Sequence, residues 1–277
     1  MKQRLRDALA GCTADYAEIR FESSDQNHMA YRGRELESVG SSRYEGGIVR
    51  ACVKGGWGIS VFDSLVDVKA HVAEACANAA LVGRETTQLA AVRHDGELES
   101  LAALDEDFRG VSFDEKLSLI TGYNDIIMGS HPSIESSMVS YSDTFRRVTF
   151  VSTRGAFFVE ERPRVLLYLV GVARDGQLVQ RASESFSSAT DFAVVRGRDG
   201  VAQEVADRAA ALLKAPQVQG GKTTIVLRPD FAGVFAHEAF GHFYHDGLPT
   251  LTAILIRLET IATQERQEQL ARPRIVH

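Results

Sequence analysis

Arg164-Val-Leu-Leu-Tyr-Leu-Val-Gly-Val-Ala-Arg-Asp-Gly-Gln-Leu-Val-Gln-Arg-Ala-Ser-Glu-Ser-Phe-Ser187 holds two β-rich runs around Asp175-Gly176, and its reading decides the fold. Asp-Gly is a strong signal for a tight hairpin turn, because glycine tolerates the positive φ such turns need. The flanking runs, Arg164 to Arg174 and Leu178 to Ser187, follow a period of two. Working back, the same period returns at Ala156 to Arg162, Arg146 to Ser152 and Ile134 to Tyr141. Turn signals at Arg154-Gly155 and Ser142-Asp143 separate these runs. The pattern predicts an antiparallel meander of about five strands. Such a sheet is a scaffold, and it can also wall a substrate cleft.

Helices flank the meander. Ser112 and Glu115 stand three apart, as in a capping box, so Asp114 to Met128 is predicted as a helix. It would bury Leu117, Ile120, Tyr123 and Ile127 and end at Gly129. Gly200 to Lys214 places Val201, Val205, Ala209, Leu212 and Leu213 on one stripe. At the start, Met1 to Ala10 is a short amphipathic helix. Strands are predicted over Tyr16 to Phe21, Met29 to Val39, Ile48 to Lys54 and Gly58 to Phe62, the last two as a hairpin around Lys54-Gly-Gly-Trp57. Neither GxxxxGK[ST] nor GxGxxG followed by a helix surrounds those glycines, so they read as a turn rather than a phosphate cradle. Asp67 to Val82 is a helix with Val68, Val72, Ala75, Cys76 and Ala79 on one side, closed by Gly83. Residues 84–110 read as polar and irregular. Their acidic group, Asp105-Glu-Asp107, reads as a solvated loop rather than a cation site. The expected class is α+β, an antiparallel sheet meander with packed helices. Two regions are expected: residues 1–220 as an amino-terminal α+β domain, and 221–277 as a strand, a motif helix and a divergent carboxy-terminal helix.

Composition narrows the function classes. The 277 residues are 44% hydrophobic and 25% charged, which is ordinary for a globular protein with ample core. A net charge of −6 and scattered arginines give no reason to expect nucleic-acid binding. No apolar stretch approaches the roughly 20 residues that span a bilayer, and no membrane association is expected. The opening segment lacks the apolar run of a secretory signal, so the expected compartment is the cytoplasm. Cys12, Cys52 and Cys76 are odd in number and lack CxxC spacing, which argues for reduced thiols.

The chemistry concentrates in Phe231-Ala-Gly-Val-Phe-Ala-His-Glu-Ala-Phe-Gly-His-Phe-Tyr-His-Asp246. Pro229 and Asp230 are expected to open a helix as a rigid start and a capping oxygen, with Phe231, Val234 and Phe235 as its apolar face. His237, Glu238 and His242 make an HExxxH pattern: two imidazoles able to bind a divalent metal such as zinc, and a carboxylate able to take a proton from water. The familiar zinc-protease helix spaces its histidines by four residues, roughly 40° apart around the axis. Five residues give roughly 140° on a regular helix and aim the rings apart. A π turn, bonded i to i+5, would bring them back together, and Gly241 is the residue at which the backbone can give. Two helix histidines making ordinary hydrogen bonds are the competing reading.

The block Leu227-Arg-Pro-Asp-Phe-Ala-Gly-Val-Phe-Ala-His-Glu-Ala-Phe-Gly-His242 resembles the metal-site segment of the TldD/PmbA family of metalloproteases. Ala14-Asp-Tyr-Ala-Glu-Ile-Arg20 is similar to that family's first strand, and Gly46-Gly-Ile-Val-Arg-Ala-Cys-Val-Lys-Gly-Gly-Trp-Gly58 to its early glycine-rich hairpin, so the resemblance covers roughly residues 1–242. It implies a zinc-dependent peptidase acting on peptides or unfolded polypeptides. His237 and His242 would be metal ligands and Glu238 the general base. It also implies a homodimer, or a heterodimer with a subunit of the PmbA/TldE type.

After His242 the pattern departs from the family, which continues with acidic residues and a further large region supplying a cysteine ligand. No residue after His242 is Cys, and residues 250–270 read instead as an amphipathic helix. The expectation is a truncation or reading-frame change, with a divergent short form as the alternative. His245 and Asp246 follow His242 at three and four residues and are the candidates for an additional ligand. Against the peptidase stand two other readings. One is an inactive family member or PmbA-like partner subunit with an incomplete metal site. The other is a peptide-binding scaffold whose binding survives loss of His237 and His242.

Overall fold

The computed structural model describes residues 1–90, 97–217, 220–222 and 224–241. The chain divides into two compact units, Met1–Pro216 and Gln217–His277. The first is a seven-stranded sheet with helices on one face. Its elements are α1 (Lys2–Leu9), β1 (Tyr16–Arg32), β2 (Glu35–Val53), β3 (Gly56–Phe62), α2 (Val68–Val82), β4 (Glu97–Ser100), α3 (Phe113–Ser130), β5 (Ile134–Ser152), β6 (Phe157–Asp175), β7 (Leu178–Ser188) and α4 (Asp199–Leu212). The sheet order is β3-β2-β1-β5-β6-β4, with β7 also paired to β6. All pairings are antiparallel except that of β4 with β6. This is the expected α+β class, with the meander extended through β1 to the early hairpin.

The strands are longer and fewer than the turn signals predict. Ser142-Asp143 is no turn but the middle of β5. Asp143 is only 3% exposed and accepts from Lys116 Nζ of α3 at 2.7 Å, Tyr141 Oη at 2.7 Å and Asn27 Nδ2 at 2.9 Å. A residue that favours turns by bonding its own backbone is here bonded to side chains, two of them, Lys116 and Asn27, distant in sequence, so the strand runs on. Likewise β6 passes through Pro163. On its far side β6 pairs β4 up to Glu160 and β7 from Val165, so the missing proline donor falls where no strand follows. In β1 the polar run from Glu22 to His28 continues the strand, and the hairpin turn lies at Gly33, with φ +58, inside the predicted Met29–Val39 run. The next hairpin turns on Lys54-Gly55, both at positive φ as a type I′ turn requires, and Gly56 and Trp57 belong to β3.

Two cores lie on the same face of this sheet, on odd-numbered positions of β1, β5 and β6. Leu5, Ile19, Val49, Phe62, Val72 and Val151 pack under α1 and α2. Met29, Tyr141, Leu167, Ile120, Tyr123 and Val205 pack under α3 and α4. Ser112 caps α3 as expected, its Oγ accepting from the Glu115 N–H at 3.2 Å, but the helix runs past Gly129 to Ser130. It buries Lys116 and Asn124 besides the expected Ile120, Tyr123 and Ile127, while Leu117 is half-buried. Helix α4 seats Ala202, Val205, Ala206 and Ala209, leaving Leu212 exposed. The reason is close approach, because a Cβ on Gly171 of β6 would lie 3.4 Å from Ala206 Cα. A helix this near the sheet is seated through alanines rather than leucines.

Strand β4 carries no apolar alternation, and all four of its residues are exposed. Glu97 is held instead by Lys2 and by Arg6 at 2.9 Å, both from α1. Cys76 is half-buried at the edge of its core rather than inside it, its sulfur 3.4 Å from that of Cys12. Burial, then the bond to Cys12, pushes its thiol up to about 11.

Helix α2 and β3 meet almost backbone to backbone. A Cβ on Gly58 would overlap the Ala75 carbonyl oxygen and stand 3.0 Å from Ala79 Cα. Because neither backbone can yield as a flexible side chain would, Gly58→Ala is expected to lower stability by about 1–3 kcal/mol. A urea midpoint unchanged from that of the parent protein would show that the two elements separate freely.

Candidate metal centre

In the second unit the motif sits on α5 (Pro229–Ala236) and on a π turn, His237–Gly241. Arg228 takes the N-cap position with Pro229 at the first helical position, where the missing N–H costs nothing and φ is preset. The N-cap residue makes no side-chain cap bond, and Asp230, expected as the capping residue, stands inside the first turn. The helix starts with the Ala232 N–H donating to the Arg228 carbonyl at 2.8 Å. The predicted strand from Lys222 to Leu227 is absent among the described residues 220–222 and 224–228. Strands need hydrogen-bonded neighbours, and no described residue pairs with this stretch. Phe231, Val234 and Phe235, expected as the apolar face of the helix, are all exposed.

At His237 the helix changes its bonding. The five residues His-Glu-Ala-Phe-Gly take the π form, the backbone in which bonds run i to i+5. Gly241 is where the ring needs room: a Cβ built there would stand 3.2 Å from His237 Nδ1 and 3.6 Å from Cγ. Any other residue at 241 would press on the imidazole, so the hydrogen-only position forms a cradle for it. His237 and Glu238 both lie within the described turn. His242, His245 and Asp246 lie outside the described residues. Among the described residues no group of three or more His, Cys, Asp or Glu converges. The set in hand is therefore one imidazole and one adjacent carboxylate on a π turn.

Two carboxylates of the acidic loop, by contrast, are paired within the first unit. Glu106 pairs with Arg196 at 2.8 Å and Asp107 with Arg109 at 2.6 Å. The Arg109 guanidinium bonded to Asp107 holds that carboxyl below its usual range. Glu106 also makes a β-bridge to Asp191, so the loop is fastened while its carboxylates stay solvent-exposed. No described helix is long and apolar enough to cross a membrane.

Two domain signatures of one family match this architecture. PmbA/TldA metallopeptidase domain 1 matches residues 17–81, and the PmbA/TldA metallopeptidase central domain matches residues 106–213. The first supplies most of the core under α1 and α2, the second most of the core under α3 and α4. A metalloprotease of Synechocystis is 31% identical over 229 residues, covering 83% of this chain and 50% of that protein. Among solved structures, a Bacteroides thetaiotaomicron protein described as a candidate modulator of DNA gyrase superposes with a TM-score of 0.74. It shares 17% identity over 86% of this chain and 55% of that one. TldE from Thermococcus kodakarensis superposes with a TM-score of 0.58 at 14% identity, over 77% of this chain and 47% of that one. The chain spans about half the length of the relatives it matches. Its two matched domains and its antiparallel sheet with packed helices place it: the chain belongs to the PmbA/TldD family.

Proposed function

We propose that this chain carries the HExxxH portion of a TldD-type metallopeptidase centre, hydrolysing peptides or unfolded polypeptides. His237 and His242 would hold zinc and Glu238 would act as general base. The observation that carries the reading is the π turn at His237–Gly241. It is the backbone form that reconciles a five-residue His spacing with a shared ligand, and such turns favour functional sites. The imidazole over Gly241 fits the nitrogen donors zinc takes, and the neighbouring carboxylate fits a proton acceptor beside the metal. When bound, zinc supplies Lewis acidity, polarising the scissile carbonyl and easing deprotonation of water. Glu238 would accept the proton of the attacking water and return it to the leaving amine. His245 or Asp246 would complete the ligand set. The names of the relatives support a metal-dependent protease, and the TldE neighbour supports a paired family subunit as partner.

A second reading is an inactive member or partner subunit with an incomplete metal site. It is favoured by the absence of a three-ligand group among the described residues, and all three cysteines precede residue 77. Elemental analysis of the purified chain separates the two. About one zinc per chain, lost in His237→Ala, supports the metal centre. No zinc even after supplementation overturns it.

A further inference from the structure

The even-numbered positions of β1, β5 and β6 face away from the four helices of the first unit, and the strand register gathers arginines there that the sequence scatters. Arg146 of β5 stands directly opposite Arg162 of β6, and Thr144 opposite Arg164. Like charges placed directly across a strand pair repel, so the sheet carries an electrostatic cost here. Two carboxylates offset part of it. Arg146 Nε donates to Glu22 at 2.7 Å, and Arg162 pairs with Glu160 at 2.6 Å. Glu22 is shared with Arg20 at 2.5 Å, so its charge is divided between two guanidiniums. The Arg164 side chain makes no hydrogen bond, ion pair or ring contact among the described residues. Arg146, Arg162 and Arg164 line a hollow of about 530 Å³, with the Thr144 and Ser187 side chains and without a carboxylate. Glu22 and Glu45 line a neighbouring hollow on the other side of Arg146.

We propose that the Arg146–Arg162–Arg164 hollow binds an oxyanion, either a carboxylate of an acidic peptide or a phosphate group. Guanidinium forks match both groups in charge and donor geometry, and hydroxyls from Thr144 and Ser187 add donors at the rim. An anion seated there relieves the Arg146–Arg162 repulsion and gives Arg164 its partner. On a chain of net charge −6 the hollow is a local cationic exception. The site is independent of the metal centre, so it stands or falls separately from the peptidase reading.

Calorimetric titration of the full chain with inorganic phosphate and with tetraglutamate, each against sodium chloride of equal ionic strength, tests it. Binding of at least one probe is expected, weakened about tenfold or more in Arg164→Ala, the loss of one charge-assisted donor group. Arg147→Ala, on the opposite face and paired with Glu161, is expected to bind as the parent does. Preference for phosphate supports a phosphate ligand, and preference for tetraglutamate supports peptide carboxylates. Absence of binding above the chloride control overturns the proposal. So does an Arg164→Ala protein, folded by circular dichroism, that binds both probes unchanged.

Discussion

Lys116→Met is expected to cost about 3–5 kcal/mol of folding stability, because it strands a buried carboxylate. Lys116 and Asp143 are 2% and 3% exposed, and their charged atoms meet at 2.7 Å. Removing the ammonium leaves Asp143 with two neutral donors, Tyr141 Oη and Asn27 Nδ2, and no countercharge. Burial, then the bond to Asp143, pushes the Tyr141 hydroxyl well above its usual range, as expected of a phenol that donates to an ionised acid in a dry setting. Replacing both charges, Lys116→Met with Asp143→Leu, should recover only part of the loss, since Tyr141 Oη and Asn27 Nδ2 then lack their acceptor. Adding Tyr141→Phe should recover more. Urea unfolding of the three variants gives the ordering. A single Lys116→Met loss below about 1 kcal/mol would show the pair to be solvated and its structural role small.

That same pair explains where sequence reading stops. Asp175-Gly176 was legible because the turn and its signal occupy the same two residues, and Gly176 indeed has φ +56. Ser112 and Glu115 were legible for the same reason, since the cap is made within four residues. Ser142-Asp143 misled because its partner Lys116 lies 27 residues back, on a helix whose apolar stripe gives no hint that a lysine is buried. Strand β4 escaped because ion pairs to α1, not apolar contacts, hold it. In α4 the stripe was right in period but was displaced toward alanines, since Gly171 lies in a strand that the helix pattern cannot see. At the motif, the five-residue His spacing was itself the signal for a π turn, and the chain takes that form from His237 to Gly241. A complete ligand set was not legible, because metal sites join residues from separate segments and the candidates after Gly241 come from a single short run.

Glu238→Gln separates binding from catalysis at that turn. The amide keeps the shape of the carboxyl but cannot take a proton, while His237, one residue before it, keeps its imidazole. Zinc content is therefore expected to stay at the parent level. If the proposed peptidase reading holds, peptide hydrolysis by the zinc-loaded chain, supplied with the proposed partner subunit, should fall about a hundredfold to ten-thousandfold, the usual worth of a positioned general base. Gly241→Val should do the reverse: its Cβ alone reaches 3.2 Å from His237 Nδ1, so the ring must shift and zinc should bind more weakly, with Glu238 untouched. Equal hydrolysis by the parent and Glu238→Gln would remove Glu238 from the chemistry. Loss of zinc in Glu238→Gln would recast the carboxylate as a ligand, and the proton would then need another acceptor. If the zinc-loaded parent hydrolyses no peptide while keeping its metal, the ion serves structure, and an inactive member with an intact metal site takes the place of the peptidase.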